Sequence, residues 1–232
     1  MTATSERREK LLYGRRKGPK PSARQQRLRE ELLPALSLQL RQRADPQTYF
    51  SVPVHDVWLE VGFGAGEHLV WQAKHHPTVG LIGVEPYEAG VAKLLSHLAE
   101  PAAQSVARER IRLHPGDARE VIENLPGASL GRVFILFPDP WPKTRHHKRR
   151  FIQADMLGAL ARAMRPGAEL RFATDDAGYL AWTLERLCAH AEFAWIAERA
   201  ADWMTRPSDW PTTRYEAKAL HGPPHFLRFL RR

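Results

Sequence analysis

The chain has 232 residues, 43% of them hydrophobic, enough for one sizeable α/β domain and inconsistent with disorder throughout. No apolar stretch approaches the roughly 18 residues of a membrane span, and MTATSERREKLL lacks the apolar core of a secretory signal. The single cysteine, Cys188, rules out an internal disulfide framework and fits a reducing cytoplasm, while 35 Lys and Arg against 26 acids, a net charge of +9, favour a polyanionic partner.

Residues 1–21 are polar, basic and broken by glycine and proline, and read as a flexible arm ahead of a single domain over 22–232. Ser22 is placed to cap a helix running to about Leu33, with Pro34 breaking it or starting another turn. DVWLEVGFGAG (56–66) reads as a strand entering a glycine-rich turn, followed by the helix EHLVWQAKHH. TVGLIGVEP (78–86) is a second buried strand ending in an acid, and YEAGVAKLLSHLAE is helical by its apolar spacing. IRLHPGD (111–117) and RVFILFP (132–138) supply the third and fourth strands. FIQADMLGALARAM is predicted to be a helix closed by Arg165-Pro166-Gly167, ahead of the strand AELRFAT (168–174). The helix DDAGYLAWTLERLCAH, the strand EFAWIAE and the alternating tail HFLRFLRR complete the pattern. Strands alternate with helices almost throughout, which predicts an α/β fold built on a doubly wound, mostly parallel sheet.

Gly62, Gly64 and Gly66 follow the first strand and open a helix, where glycine lets backbone approach a ligand closely. A dinucleotide fingerprint needs G-x-G-x-x-G; here the last position is Glu67, and the third glycine comes one residue early. A carboxylate at the helix start opposes a pyrophosphate, so the spacing suits a cofactor without phosphate, such as S-adenosylmethionine; a plain tight turn is the structural alternative. Glu60 stands inside an apolar string, where it needs either a ligand cation or backbone N–H groups of the glycine turn. Glu85, some twenty residues past the glycines, occupies the place of an acid that takes a ribose hydroxyl pair. Asp117 suits an adenine amine or the cap of the next helix. The histidines show no metal-ligand spacing: Gly-Pro-Pro between His221 and His225 cannot hold them one helical turn apart, and no metal is expected.

The most unusual stretch is FPDPWPKTRHHKRR, from Phe137 to Arg150. Pro140 biases Asp139 toward extended geometry, Pro142 does the same for Trp141, and Pro138 fixes its own φ. A stiff bracket at the carboxyl end of a central strand, where doubly wound sheets bind ligands, suits the placement of a carboxylate and an aromatic ring. Lys143, Arg145, Lys148, Arg149 and Arg150 follow without compensating acids, which points to phosphate binding rather than to a solvated helix face.

Together YGRRKG, LEVGFGAGEH, GVEPYEAGV, GDARE, FPDPWPKTRHHKRRF, TDDAGY and TRYEAK resemble the bacterial tRNA (guanine-N7-)-methyltransferase family over most of the chain. PDPWPK-x-RHHKRR is the most specific block. The resemblance implies a Rossmann-like, seven-stranded methyltransferase fold and methyl transfer from S-adenosyl-L-methionine to N7 of the variable-loop guanine of tRNA, forming m7G46. It implies that Glu60, Glu85, Asp117 and Asp139, with the glycines, line the methyl-donor site, and that Asp139 has the active-site role. Lys143, Asp175, Thr213, Arg214, Tyr215 and Glu216 are implied substrate contacts, and Arg145, His146, His147, Lys148, Arg149 and Arg150 implied RNA contacts. Read without it, Thr174-Asp175 caps a helix and Thr213-x-x-Glu216 is a capping box. Pro86 departs from many relatives and bears on the ribose-side turn. The partner is expected to be tRNA, with no DNA, no membrane and no obligate protein partner, in the cytoplasm.

Guanine N7 has an in-plane lone pair and no proton at neutral pH, so alignment and a suitable field are what a protein must supply. Asp139 is therefore expected to orient the base or to stabilise its positive charge, with Trp141 or Tyr215 stacking on it. The rival readings are a methyltransferase of exocyclic amines, a nicotinamide-dependent dehydrogenase and a non-catalytic tRNA-binding protein. The single proline before Trp141 disfavours the first, and the misplaced glycine the second. The retained acids and glycines disfavour the third.

Overall fold

The structure is a computed structural model that describes residues 13, 14, 16–101, 108–218 and 220–232. Most of the basic arm expected over 1–21, residues 1–12 and 15, lies outside the described residues. Seven strands form one sheet: β1 Asp56–Val61, β2 Val79–Val84, β3 Ile111–His114, β4 Leu130–Leu136, β5 Met164–Thr174, β6 Phe193–Trp195 and β7 His225–Arg231. Their order is β3-β2-β1-β4-β5-β7-β6, parallel from β3 to β5 and antiparallel at β7 and β6. The chain steps outward from β1 to β3 and returns to β4 on the other side of β1. That reversal opens a crevice at the carboxyl ends of β1 and β4, the usual ligand position of an open α/β sheet.

Both faces of the sheet are covered, so its central strands are apolar on both sides. Val57, Leu59, Ile82, Val133, Ile135 and Phe172 pack on one face with the helices Ala118–Asn124, Ala154–Ala163 and Ala177–Ala189. Trp58, Leu81 and Phe134 pack on the other with Leu69 and Leu94 from the helices Glu67–His75 and Glu88–Leu98. At the N-terminal end Ser22 caps the helix Ala23–Glu31 as expected, in a reciprocal capping box with Gln25, and Pro34 stands at the start of the next turn, Leu33–Leu36. No helix among the described residues is long and apolar enough to cross a membrane.

Two boundaries differ from the sequence reading. Arg165-Pro166-Gly167 was expected to close a helix, but the helix ends at Ala163 and β5 already begins at Met164. The register with β4 shifts between Leu130 and Arg132, and Pro166 occupies that irregular, exposed start, where its missing N–H breaks no regular ladder. In EFAWIAE only Phe193–Trp195 pairs as strand.

Beyond β4 the sheet carries an ionic layer. Arg171, in the middle of β5, is fully buried and places Nη2 2.9 Å from Glu169 Oε2 and 2.6 Å from Asp209 Oδ2. Arg132 and Arg228 also bond Glu169, at 3.2 and 2.5 Å. Among the described residues Arg171 Nε and Nη1 have no hydrogen-bond partner, and the guanidinium lies over the rings of Trp210 and Phe134 at 5.3 and 5.7 Å. The layer anchors the segment around Asp209 and Trp210 to the sheet, and Gln72 Nε2 bonds the Asp209 carbonyl at 3.2 Å. Arg171→Ala would leave Glu169 short of its buried partner. It is expected to lower unfolding free energy in urea by about 3–5 kcal/mol, and a loss under about 1 kcal/mol would show that the layer does not hold the sheet.

Candidate active site

The glycine turn leaves β1 through three left-handed residues, Gly62, Gly64 and Gly66, with φ of 74°, 57° and 84°. A Cβ at Gly66 would stand 2.4 Å from Leu94 Cδ1, so that glycine serves close packing. One at Gly62 would meet nothing within 4 Å, because this position faces an open cavity. Glu85, at the end of β2, ties the turn down: Gly64 N–H donates to its Oε2 at 2.8 Å and Tyr87 N–H to its Oε1 at 2.9 Å. Burial pushes the Glu85 pKa up, and the two amide bonds counter that only in part, with Asp139 and Glu60 adding to the rise.

A cavity of about 520 Å³ opens here, lined among others by Gly62, Gly64, Glu85, Asp117 and Asp139. Asp117 fills the structural role that its sequence position allowed, capping Ala118–Asn124 through Arg119 N at 2.9 Å, while it also lines the cavity. Glu60 does not line it. It is 3% exposed, and its carboxylate pairs with His68 Nδ1 at 2.8 Å instead of with backbone amides of the turn. The signal for that partner lay eight residues away, in a histidine at the buried side of the first helical turn.

Asp139 reaches the same cavity from β4. Phe137 and Trp141, on either side of it, both have left-handed backbone, φ 50° and 45°. Trp141 therefore departs from the extended geometry expected before Pro142. The left-handed turn folds its indole back, edge-on to Tyr13 at 6.4 Å and to His146 at 5.9 Å. Arg149 lies over both Trp141 and Tyr13, at 4.9 and 5.0 Å. Non-glycine residues seldom occupy this region, and surrounding contacts must over-determine it. Asp139 is open to the cavity and accepts no hydrogen bond among the described residues, yet the surrounding walls desolvate it and raise its pKa. Tyr13 and Gly14 of the arm also lie here: a Cβ on Gly14 would be 3.3 Å from Asp139 Oδ2. Nothing in the sequence places these two residues at the cavity.

Arg214 and Tyr215, on the short helix Arg214–Lys218, form a third wall, with Tyr215 Cε2 3.0 Å from where a Gly64 Cβ would be. Thr213 Oγ1 accepts from Glu216 N at 3.2 Å, but Glu216 pairs with Arg206, so only half of the capping box forms. Asp175 accepts from His221 N at 3.1 Å, and the helix cap is Asp176, one residue later than expected. The cationic segment is a 3₁₀ turn, Thr144–Arg149. Lys143, Arg145 and Lys148 are exposed, and His146, His147 and Arg149 half-buried. Desolvation and then the cations Arg149, Arg145, Lys143 and Lys148 hold the His146 pKa below its usual value. Arg150 departs from the set: it is 2% exposed and points inward.

The family model described as "Putative methyltransferase" matches residues 55–225. A tRNA (guanine-N(7)-)-methyltransferase of Rhodospirillum rubrum is 50% identical over 227 residues, covering 95% of this chain and 87% of the relative. The enzyme of the same name from Azorhizobium caulinodans is 44% identical over 100% of both chains. Among solved structures, the 16S rRNA (adenine(1408)-N(1))-methyltransferase of Catenulisporales acidiphilia superposes with a TM-score of 0.51 at 18% identity, over 84% of this chain and 97% of that one. An antibiotic-related methyltransferase does so with a TM-score of 0.52 at 16% identity, over 85% and 97%. At such identities these two show the fold alone.

Because burial raises the folded-state pKa of Glu85, its stabilising contribution is complete below about pH 4.3 and is lost as pH rises through the folded value. Glu85→Gln removes that loss. In urea titrations the stability of the variant relative to wild type should rise as pH increases above about 4; a flat or falling difference would contradict it.

Proposed function

The chain belongs to the tRNA (guanine-N7-)-methyltransferase family, and on that premise we propose that it transfers the methyl group of S-adenosyl-L-methionine to N7 of the variable-loop guanine of tRNA, forming m7G46. The observation that carries the site-level reading is the meeting, across one cavity, of a glycine cradle and a desolvated Asp139 that has no hydrogen-bond partner among the described residues.

The residues present fit the methyl donor. The cavity, about 520 Å³, is of the size that small-molecule sites use, roughly 300–1,000 Å³. Open space at Gly62 leaves room against the backbone. Glu67, in the first turn of the following helix, opposes a pyrophosphate and tolerates a donor without one. Glu85 keeps free lone pairs after accepting two amides and is the residue for the ribose hydroxyls; Asp117 is the residue for the adenine amine. Glu60, behind the wall and paired with His68, acts on this site through its field at Glu85.

When bound, S-adenosylmethionine supplies a methyl group on a sulfonium. Gly62, Gly64, Glu85 and Asp117 would hold the donor, whose sulfonium would give up its methyl group to the guanine N7 lone pair, with the S–C electron pair left on sulfur and positive charge placed on the guanine ring. No proton leaves N7, so a general base is unnecessary. Asp139 serves by holding the N–H edge of guanine and by stabilising the ring charge, for which an unpaired carboxylate in a desolvated wall is well suited. Trp141 and Tyr215, two of the aromatic residues that line the cavity, are the rings we assign to flank the base. Lys143, Arg145 and Lys148 extend from the rim as an electrostatic track for the RNA backbone, with Arg149 at its inner end.

Labelled S-adenosylmethionine and a tRNA transcript, followed by borohydride and aniline cleavage, test the reaction. One cut in the variable loop, lost when that guanine is replaced, is expected. Incorporation without cleavage would move the target to an exocyclic amine. Asp139→Asn should slow single-turnover transfer by about 100-fold with tRNA affinity retained; full turnover would remove Asp139 from its role. Arg145→Ala combined with Lys148→Ala should reduce the slope of log affinity against log salt by about 1.4–1.8, and an unchanged slope would exclude these two as phosphate contacts.

A further inference from the structure

Prolines 138, 140 and 142 leave residues 138–142 with only two backbone N–H groups, so this loop cannot be fixed by a hydrogen-bonded ladder of its own. Among the described residues its backbone makes one hydrogen bond, from Arg150 Nε to the Pro140 carbonyl at 2.8 Å. Pro140 directly follows Asp139, so this bond fixes the Pro140–Trp141 peptide, one residue past the carboxylate. Arg150 Nη1 also donates to the Gly178 carbonyl at 3.3 Å, which joins the loop to the start of the helix Ala177–Ala189.

The guanidinium is itself held rigidly. Tyr179 and Trp182, one turn apart on that helix, each place a ring 5.0 Å from it. The same two side chains fasten the residues that follow Arg150. The Tyr179 hydroxyl accepts from Phe151 N at 2.9 Å and Ile152 N at 3.3 Å, and Trp182 Nε1 donates to the Ile152 carbonyl at 2.7 Å. Both the base of the side chain and its tip are therefore tied to one rigid helix. A buried arginine directed at two carbonyls has no face left for a phosphate, whereas Arg145 and Lys148, on the same short turn, are exposed.

We propose that Arg150 is a positioning residue of the methyl-transfer reaction, a strut that sets Asp139 by holding the Pro140 carbonyl, and that it makes no contact with RNA. The proposal rests on the methyltransferase reading of the cavity. Misplacing a catalytic group by about 1 Å can cost roughly a hundredfold in rate, and relaxing this strut frees the loop on one side only.

Arg150→Lys and Arg150→Gln separate the possibilities, with single-turnover methyl transfer measured at saturating cofactor and tRNA and normalised to cofactor-binding stoichiometry. Arg150→Gln should lose about tenfold to a hundredfold in rate, and Arg150→Lys, which still reaches one carbonyl, should recover part of it. In both, tRNA affinity and its salt slope should match wild type, while Arg145→Ala, measured alongside, lowers the slope by about 0.7–0.9. A wild-type rate per cofactor-binding molecule, or a lowered salt slope in the Arg150 variants, would overturn the proposal. If both variants fail to bind cofactor, Trp182→Phe is measured in the same way. It leaves Arg150 in place but loosens its anchorage, so a lower rate at unchanged tRNA affinity supports the strut and an unchanged rate overturns it. Wild-type protein that puts no methyl group on N7 would instead overturn the reading on which the proposal rests.

Discussion

Everything at the cavity depends on a backbone that leaves β4 in a conformation it would not choose alone. Left-handed φ at Phe137 and Trp141 costs of order 1–3 kcal/mol at each, and it persists only where neighbours remove the alternatives. Three prolines remove part of the freedom. Phe137 N–H bonds the Ala173 carbonyl of β5 at 2.8 Å, Arg150 holds Pro140, and the Trp141 ring is caught among Tyr13, His146 and Arg149. The consequence is a carboxylate whose position is set by the fold and not by its own rotamers alone. A reaction that needs alignment more than proton transfer is well served by such a device.

The opposite side of the cavity follows the same logic with different parts. Glu85 fastens the glycine turn to the end of β2, so two strand ends move together, and the desolvation that this costs is only partly offset by the amides it receives. Three acids, Glu60, Glu85 and Asp139, gather around the crevice of a chain whose net charge is +9. Lys143, Arg145 and Lys148 stand exposed beside the cavity, while Glu85, Asp117 and Asp139 line it. That division suits a cationic methyl donor held within and a polyanion held without. Farther along the sheet, the Arg171–Glu169–Asp209 layer anchors the segment that leads to Arg214 and Tyr215, so the third wall of the cavity is also tied to the sheet.

Features encoded in a few consecutive residues were readable before any coordinates. The apolar runs announced all seven strands, Ser22 announced a cap, and the Gly62–Gly66 spacing announced a sharp turn that favours a donor without phosphate. Asp139 at the end of β4 was visible because three prolines and a tryptophan have few other uses there. What stayed hidden depends on neighbours distant in sequence. Arg150 reads as one more cation in KTRHHKRR until Tyr179 and Trp182 arrive from a helix nearly thirty residues later. Glu60 meets His68 only because the turn brings helix and strand side by side, and Arg171 is buried only because Asp209 and Trp210 fold over it. Arg165-Pro166-Gly167 misled for another reason: proline and glycine stop helices, but an irregular strand start tolerates them as well.

Position and charge at Asp139 can be separated with a single side chain. Asp139→Glu keeps the carboxylate and moves it by about one C–C bond, roughly 1.5 Å. If placement is what the strained loop provides, the single-turnover rate of methyl transfer at saturating cofactor and tRNA should fall by about 100-fold although the charge is retained. A wild-type rate in Asp139→Glu would mean that a carboxylate anywhere in the cavity suffices, and that the rigidity of the loop has no part in the reaction.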